Sequence, residues 1–194
     1  PRALYHTDWV ADRTLAWLGE QGQSPWFCWM SFPDPHHPWD VPRSELHRVN
    51  WRDLDLPAAY LDGDDARRVL STKPKHWLGY YEASLWSNLE SPREYVPADM
   101  TADQVREINA MTHIENELID EACQRVIDYL KAQNLYDQTD IFFTTDHGEL
   151  QGDYGLMFKG PYHVDALMRL PLIWKPGQEG GAPQVIDEPV GHVD

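Results

Sequence analysis

The strongest constraint on this chain is a long apolar stripe at helical spacing that feeds, through a short polar link, into an apolar strand. Thr101-Ala102-Asp103-Gln104 reads as a capping box, in which the Thr101 side chain satisfies an amide at the third helical position and Gln104 reaches back. Val105, Ile108, Met111 or Thr112, Leu118, Ala122, Val126 and Leu130 then share one face, a core face and not a cofactor surface. His113 and Glu115 lie within this stretch and are expected to be structural or surface polar groups. The helix is expected to run out near Asn134, and Leu135 to Thr139 leads into Ile141-Phe142-Phe143-Thr144-Thr145. That second run is β-branched and aromatic and is bounded by polar residues, so it is expected to be a strand buried on both faces. Helix, short loop and strand form a crossover unit of α/β type. The unit delivers Asp146-His147-Gly148 to a strand's carboxyl end, where ligands of open α/β sheets gather.

Asp146 and His147 set a carboxylate beside an imidazole, the donor pair of a metal half-site, and Gly148 lets the backbone turn sharply after them. On those three residues alone an ordinary turn competes with the metal reading. Lys159 follows beyond a loop containing Gly152, Asp153 and Gly155, and its ammonium can return to the same pocket to hold an anion. A second candidate segment lies earlier in the chain. Val10, Ala11, Leu15 and Leu18 predict a helix capped by Thr7 or Asp8 and ended by Gly19 or Gly22. Trp26 to Phe32 then reads as a second buried strand. It runs directly into Pro33-Asp34-Pro35-His36-His37-Pro38-Trp39-Asp40, where three prolines stiffen a loop carrying two histidines. A loop histidine is ordinarily a solvated or hydrogen-bonded group. Here the place at a strand end puts both candidate segments on one edge of the sheet.

Composition removes several function classes. Sixteen basic residues against 32 acidic ones leave a formal charge of −16, so neither nucleic acid nor an anionic membrane is an expected partner. No run of 18 apolar residues predicts a transmembrane helix, and the compartment is not readable. The length of 194 residues suffices for one core-bearing domain. Cys28 and Cys123 make neither a disulfide framework nor zinc spacing and are expected to pack as small apolar groups. From Val41 to about Pro97 the periodicity fades, and Lys73-Pro74-Lys75-His76 is the one basic cluster. This stretch reads as a solvated surface excursion, with substrate contact as the competing reading. Trp51, Trp77, Tyr80 and Trp86 receive no individual role. After Lys159 come a short helix over 162–168, a strand from Leu170 to Trp174, a Gly/Pro loop over 178–184 and an edge-strand hint at Val185, Ile186 and Val190.

Four runs carry a family resemblance: Asp146-His147-Gly148-Glu149, Gly152-Asp153-Tyr154-Gly155-Leu156, Lys159-Gly160-Pro161-Tyr162 and Arg169-Leu170-Pro171-Leu172-Ile173. In this order and spacing they resemble the C-terminal metal-site signature of the sulfatase family, part of the alkaline-phosphatase superfamily. His36-His37-Pro38-Trp39 is similar to that family's His-x-Pro-aromatic loop. The resemblance spans nearly all of the chain. It implies an α/β fold, a three-layer α/β/α sandwich of alkaline-phosphatase type. Residues 1–194 would be a partial catalytic domain, incomplete at both ends.

The resemblance further implies that Asp146 and His147 bind a divalent metal ion, that Lys159 binds the anion, and that His36 contacts the ester on its leaving-group side. An imidazole suits proton transfer near neutral pH; His37 remains the alternative to His36. A histidine ligand moves metal preference away from calcium toward manganese, zinc or iron, with manganese favoured over calcium. In the family, two further carboxylates complete the metal shell, and a cysteine or serine within Cys/Ser-x-Pro-x-Arg is oxidised to the nucleophile formylglycine. Cys28 is followed by Trp29-Met30-Ser31 and Cys123 by Gln124-Arg125-Val126, so this chain holds no such nucleophile. The 194 residues alone are therefore expected to be inactive. The implied substrate is a small anionic ester, first a sulfate ester. A phosphonate monoester or phosphodiester comes second, because an Asp-His pair is shared with hydrolases of those esters. A non-catalytic binding module is the reading from a different class. Oligomeric state is not readable.

Overall fold

The computed structural model describes residues 2–22, 24–85, 91, 94–177 and 182–191. Its backbone is helix α4, Ala102–Ala132, 31 residues long. The capping box is formed: Thr101 Oγ1 accepts from the Gln104 amide at 3.2 Å, and Gln104 Oε1 accepts from the Thr101 amide at 2.9 Å. Val105, Ala110, Ile114, Leu118, Ile119, Ala122 and Leu130 are buried along one face. Replacing Thr101 by alanine is expected to cost about 1 kcal/mol, read as a lower urea midpoint at unchanged slope.

Helix α1, His6–Glu20, packs along α4. Its N-cap is Tyr5, not the expected Thr7 or Asp8. Those two side chains are spent on tertiary contacts instead: the Thr7 hydroxyl donates to Asp34, and Asp8 pairs with Arg2 and Arg125. Arg48 adds a bridge to α4 through Glu121 at 2.7 Å and Glu117 at 3.1 Å.

The stretch expected to be a solvated excursion instead supplies much of the core. It contains α2, Gly63–Leu70, and α3, Lys75–Tyr81. Ala66, Leu70, Trp77, Tyr80 and Tyr81 are buried together with Leu150, Leu156, Tyr162 and Leu167. Helices this short present too few turns for an apolar stripe to register as a period, which is why the sequence pattern fades there. Trp86 lies outside the described residues.

Strand β1, Ile141–Thr144, pairs antiparallel with β2, Leu172–Lys175, in a two-stranded sheet with Ile141 opposite Lys175 and Thr144 opposite Leu172. Phe142 and Trp174 stack across it at 5.6 Å. The expectation of a strand buried on both faces is not met: Phe142 is 62% exposed and Ile173 also 62%. Trp26 to Phe32 forms no strand. Its burial nevertheless alternates, with Phe27 and Trp29 exposed and Trp26, Cys28 and Met30 half-buried, which is the period of an extended segment without a partner. A strand buries its faces only against neighbours, and one strand pair covers little. Val185, Ile186 and Val190 are likewise exposed and lie in no strand. The expected helix over 162–168 shrinks to α5, Asp165–Met168. The Gly/Pro loop falls partly on residues 178–181, outside the described residues. No described helix is long and apolar enough to cross a membrane.

Candidate active site

The loop from Pro33 to Asp40 is tied down at Asp34, whose side chain is 3% exposed. One carboxylate oxygen meets His6 Nε2 at 2.5 Å, and the other accepts from the Thr7 hydroxyl, so the start of α1 anchors the loop. Two residues on, the His36 amide donates to the Pro33 carbonyl at 3.1 Å. His36 Nδ1 lies 2.6 Å from the His37 carbonyl. A carbonyl only accepts, so Nδ1 carries the proton and Nε2 keeps its lone pair. That lone pair meets Lys159 Nζ at 2.6 Å, with the ammonium donating. The contact joins the two candidate segments, although the shared sheet edge expected to do so is absent, since 26–32 forms no strand.

Lys159 is delivered by a folded loop. The Leu150 amide donates to the Phe158 carbonyl at 2.9 Å and the Gly152 amide to the Leu156 carbonyl at 2.8 Å. Gly155 has φ +71°, and a Cβ there would lie 2.5 Å from the Leu61 carbonyl oxygen, so only glycine fits. Phe158, next to the lysine, is buried among aromatic rings. It stacks on Trp39 at 5.6 Å and meets His37 at 4.6 Å and Tyr95 at 5.4 Å edge-on. His37 thus turns its ring inward, while the exposed His36 is the one at Lys159. Phe158 and Tyr95 were invisible to sequence reasoning because their roles depend on packing partners distant in the chain.

Asp146 and His147 follow β1 and stand at the surface, their side chains 83% and 41% exposed. The His147 amide donates to Asp146 Oδ1 at 2.9 Å, and His147 Nδ1 donates to the Gly148 carbonyl at 2.8 Å. The second contact leaves the Nε2 lone pair available, the form a metal-binding imidazole takes. Burial works against ionisation of Asp146, but the amide and the ring of His147 outweigh it and hold the carboxyl below its usual range. His147 Nε2 and Asp146 Oδ2 are 3.6 Å apart. Two tetrahedral ligands with bonds of about 2.1 Å are separated by about 3.4 Å, so the pair fits one cation. A full shell needs at least four donors. Among the described residues no group of three or more His, Cys, Asp or Glu is placed to hold a metal, so this pair does not by itself complete a metal site.

Gly148 departs from expectation in its reason. Its amide donates to the Leu167 carbonyl at 3.0 Å, and a Cβ would fall 1.8 Å from the Ala166 carbonyl oxygen. Glycine is required here because α5 packs directly onto the backbone, not because the chain turns sharply. Cys28 and Cys123 are free and half-buried, as expected of packed thiols, and burial pushes both up in pKa, away from the thiolate a nucleophile needs.

The two polar groups within α4 divide between the surface and the structural alternative. His113 is exposed, as a surface residue should be, but Glu115 has no exposed surface at all. Neither of its carboxylate oxygens has a hydrogen-bond partner among the described residues. Burial, helped by the charges of Asp34 and Asp40, pushes its carboxyl up to about 8.

Comparison with known proteins adds a family. The Sulfatase family model matches residues 2–194. The chain is similar to the uncharacterized sulfatase YidJ of Escherichia coli, 27% identical over 187 residues, which are 95% of this chain and 33% of that protein. It is similar also to the multifunctional alkaline phosphatase superfamily protein PehA of Trinickia caryophylli, 27% identical over 188 residues, 95% of this chain and 35% of that one. Among solved structures, the phosphonate monoester hydrolase of Agrobacterium radiobacter superposes with a TM-score of 0.74 at 25% identity, covering 89% of this chain and 33% of the other. The fold is therefore of the α/β, alkaline-phosphatase-like sulfatase kind. The chain spans about a third of the length of the relatives it matches.

Proposed function

Because the chain belongs to the sulfatase family, we propose that it supplies part of the active site of a metal-dependent hydrolase of sulfate esters. The observation that carries this reading is the Lys159–His36 contact at 2.6 Å, between segments 123 residues apart. Lys159 brings local positive charge to a chain of formal charge −16, so an anionic ester is held against the overall field. With its own proton on Nδ1, His36 accepts a second from the ammonium through Nε2. That proton, lying between two nitrogens, is within reach of the leaving oxygen when the S–O bond of the ester breaks. Asp146 and His147 would hold a divalent cation, which when bound neutralises charge on the ester oxygens as a Lewis acid. The imidazole donor favours manganese, zinc or iron over calcium. The remaining ligands and the nucleophile, a formylglycine on this reading, come from elsewhere in the intact protein. The 194 residues by themselves are then inactive.

A phosphonate monoester or phosphodiester hydrolase is the second reading, favoured by the solved structure of that activity and by histidine at position 147. Rates of the intact protein on an aryl sulfate, an aryl phosphonate monoester and a bis-aryl phosphate separate the two, with the sulfate expected fastest. Lys159→Ala is expected to lower kcat/KM about 10²- to 10³-fold. A loss smaller than about twofold would remove Lys159 from the reaction. Ester binding without turnover of any of the three would favour a non-catalytic binding module.

A further inference from the structure

We propose that Glu115 is a positioning residue for His36: it serves as a neutral carboxylic acid beneath the 33–40 loop, and its ionisation withdraws the support that holds His36 against Lys159. The inference rests on the role proposed above for that pair. Glu115 lies within α4, fully buried and with no hydrogen-bond donor on either carboxylate oxygen among the described residues. An ionised carboxylate in that place has lost its water and gained nothing in return, which is costly.

The charged and titratable groups facing it come from each element packed there. The 33–40 loop contributes Asp34 and Asp40, whose charges both act on Glu115. The start of α1 contributes Tyr5, which packs against Ile114 and Leu118 and feels the charges of Asp34 and Glu115. His6 enters through its 2.5 Å contact with Asp34. Three carboxylates in one such neighbourhood do not all ionise. Asp34 has two partners in His6 and Thr7, and Asp40 is exposed, so the proton stays on Glu115. Once it leaves, like-charge repulsion falls on Asp34, which ties the loop to α1. His36 is two residues beyond that tie, and Trp39 five.

Trp39 reports on the loop because it stacks on Phe158, beside Lys159. In the intact protein labelled with 5-fluorotryptophan, its ¹⁹F resonance is the one missing from Trp39→Phe. That resonance is expected to shift between about pH 7 and pH 9 in the wild type and to stay still in Glu115→Gln, which keeps the volume and cannot ionise. An unmoving wild-type resonance, or a Gln variant that titrates like the wild type, would overturn the proposal. Should the Gln variant fail to fold, glutamate labelled with ¹³C at the carboxyl decides within the wild type. One carboxyl titrating with the same alkaline midpoint as Trp39 supports the proposal, and differing midpoints sink it. Where turnover is present, the Gln-to-wild-type ratio of kcat/KM is expected to rise about tenfold from about pH 6 to pH 9. A role in folding alone would leave that ratio flat. Absence of turnover with the Trp39 shift abolished in Glu115→Gln would fail the hydrolase reading and leave the positioning one standing.

Discussion

Gly148→Ala is expected to destabilise the fold by about 3 kcal/mol or more, and to do so at the candidate metal half-site. The added Cβ would lie 1.8 Å from the Ala166 carbonyl oxygen and 3.1 Å from the Leu167 Cα. Both are backbone atoms, so no rotamer change relieves the clash. Either α5 retreats, which breaks the 3.0 Å hydrogen bond from the Gly148 amide to the Leu167 carbonyl, or the Asp146–His147 turn moves outward. For a chain of this size about 3 kcal/mol lowers the melting temperature by roughly 6–12 °C. A melting temperature within about 1 °C of the wild type would mean that α5 is not seated against the turn.

Glu115→Gln acts in the opposite direction and only above about pH 4.5. The Glu115 carboxyl sits at about 8 in the folded protein against an ordinary 4.5, so the folded state prefers it protonated. Below 4.5 both states carry the proton, and the wild type and the variant have similar stability. As pH rises through that interval the unfolded chain gives up its proton and the folded one does not, so wild-type stability falls. Above about 8 the loss is complete, amounting to up to about 5 kcal/mol at 1.36 kcal/mol per unit. Denaturant midpoints of the two proteins should therefore coincide near pH 4, separate steadily up to about pH 8 and stay apart above it, with the variant more stable. Parallel midpoints across that range would show a Glu115 that finds a partner or water when folded.

What could be read from the chain divides by the range of the interaction. Helix α4 was legible from its capping box to within two residues of its end, because caps and stripes are set by residues three or four apart. The pairing of His36 with Lys159 was legible only as two candidate segments, and the sheet edge expected to join them is absent because 26–32 forms no strand. Its distance, and the inward turn of His37, depend on Phe158 and Trp39 meeting from far apart in the chain. The core role of Trp77, Tyr80 and Tyr81 was not legible, since helices of seven and eight residues carry no readable period. The runs at 26–32 and 141–145 were read for the burial their composition asks for. What covers a strand is decided by neighbours, and Phe27, Trp29, Phe142 and Ile173 stay exposed. The anchoring of Asp34 by Thr7 and the isolation of Glu115 are properties of three segments meeting, and no single stretch announces either.

The separation of 123 residues between His36 and Lys159 also bears on when the pair comes into being. Closing so long a stretch of flexible chain costs about 4 kcal/mol in conformational entropy before any constant term, more than one hydrogen bond at a protein surface returns. The contact therefore cannot nucleate folding. It waits for α1 to dock on α4 and for the 150–167 segment to pack against α2 and α3, which between them bring the two ends together. A folding intermediate with only α4 and its neighbours in place would carry both residues and no acid–base pair. On the proposed reading, chemistry directed at an ester is thereby withheld until these long-range contacts have formed.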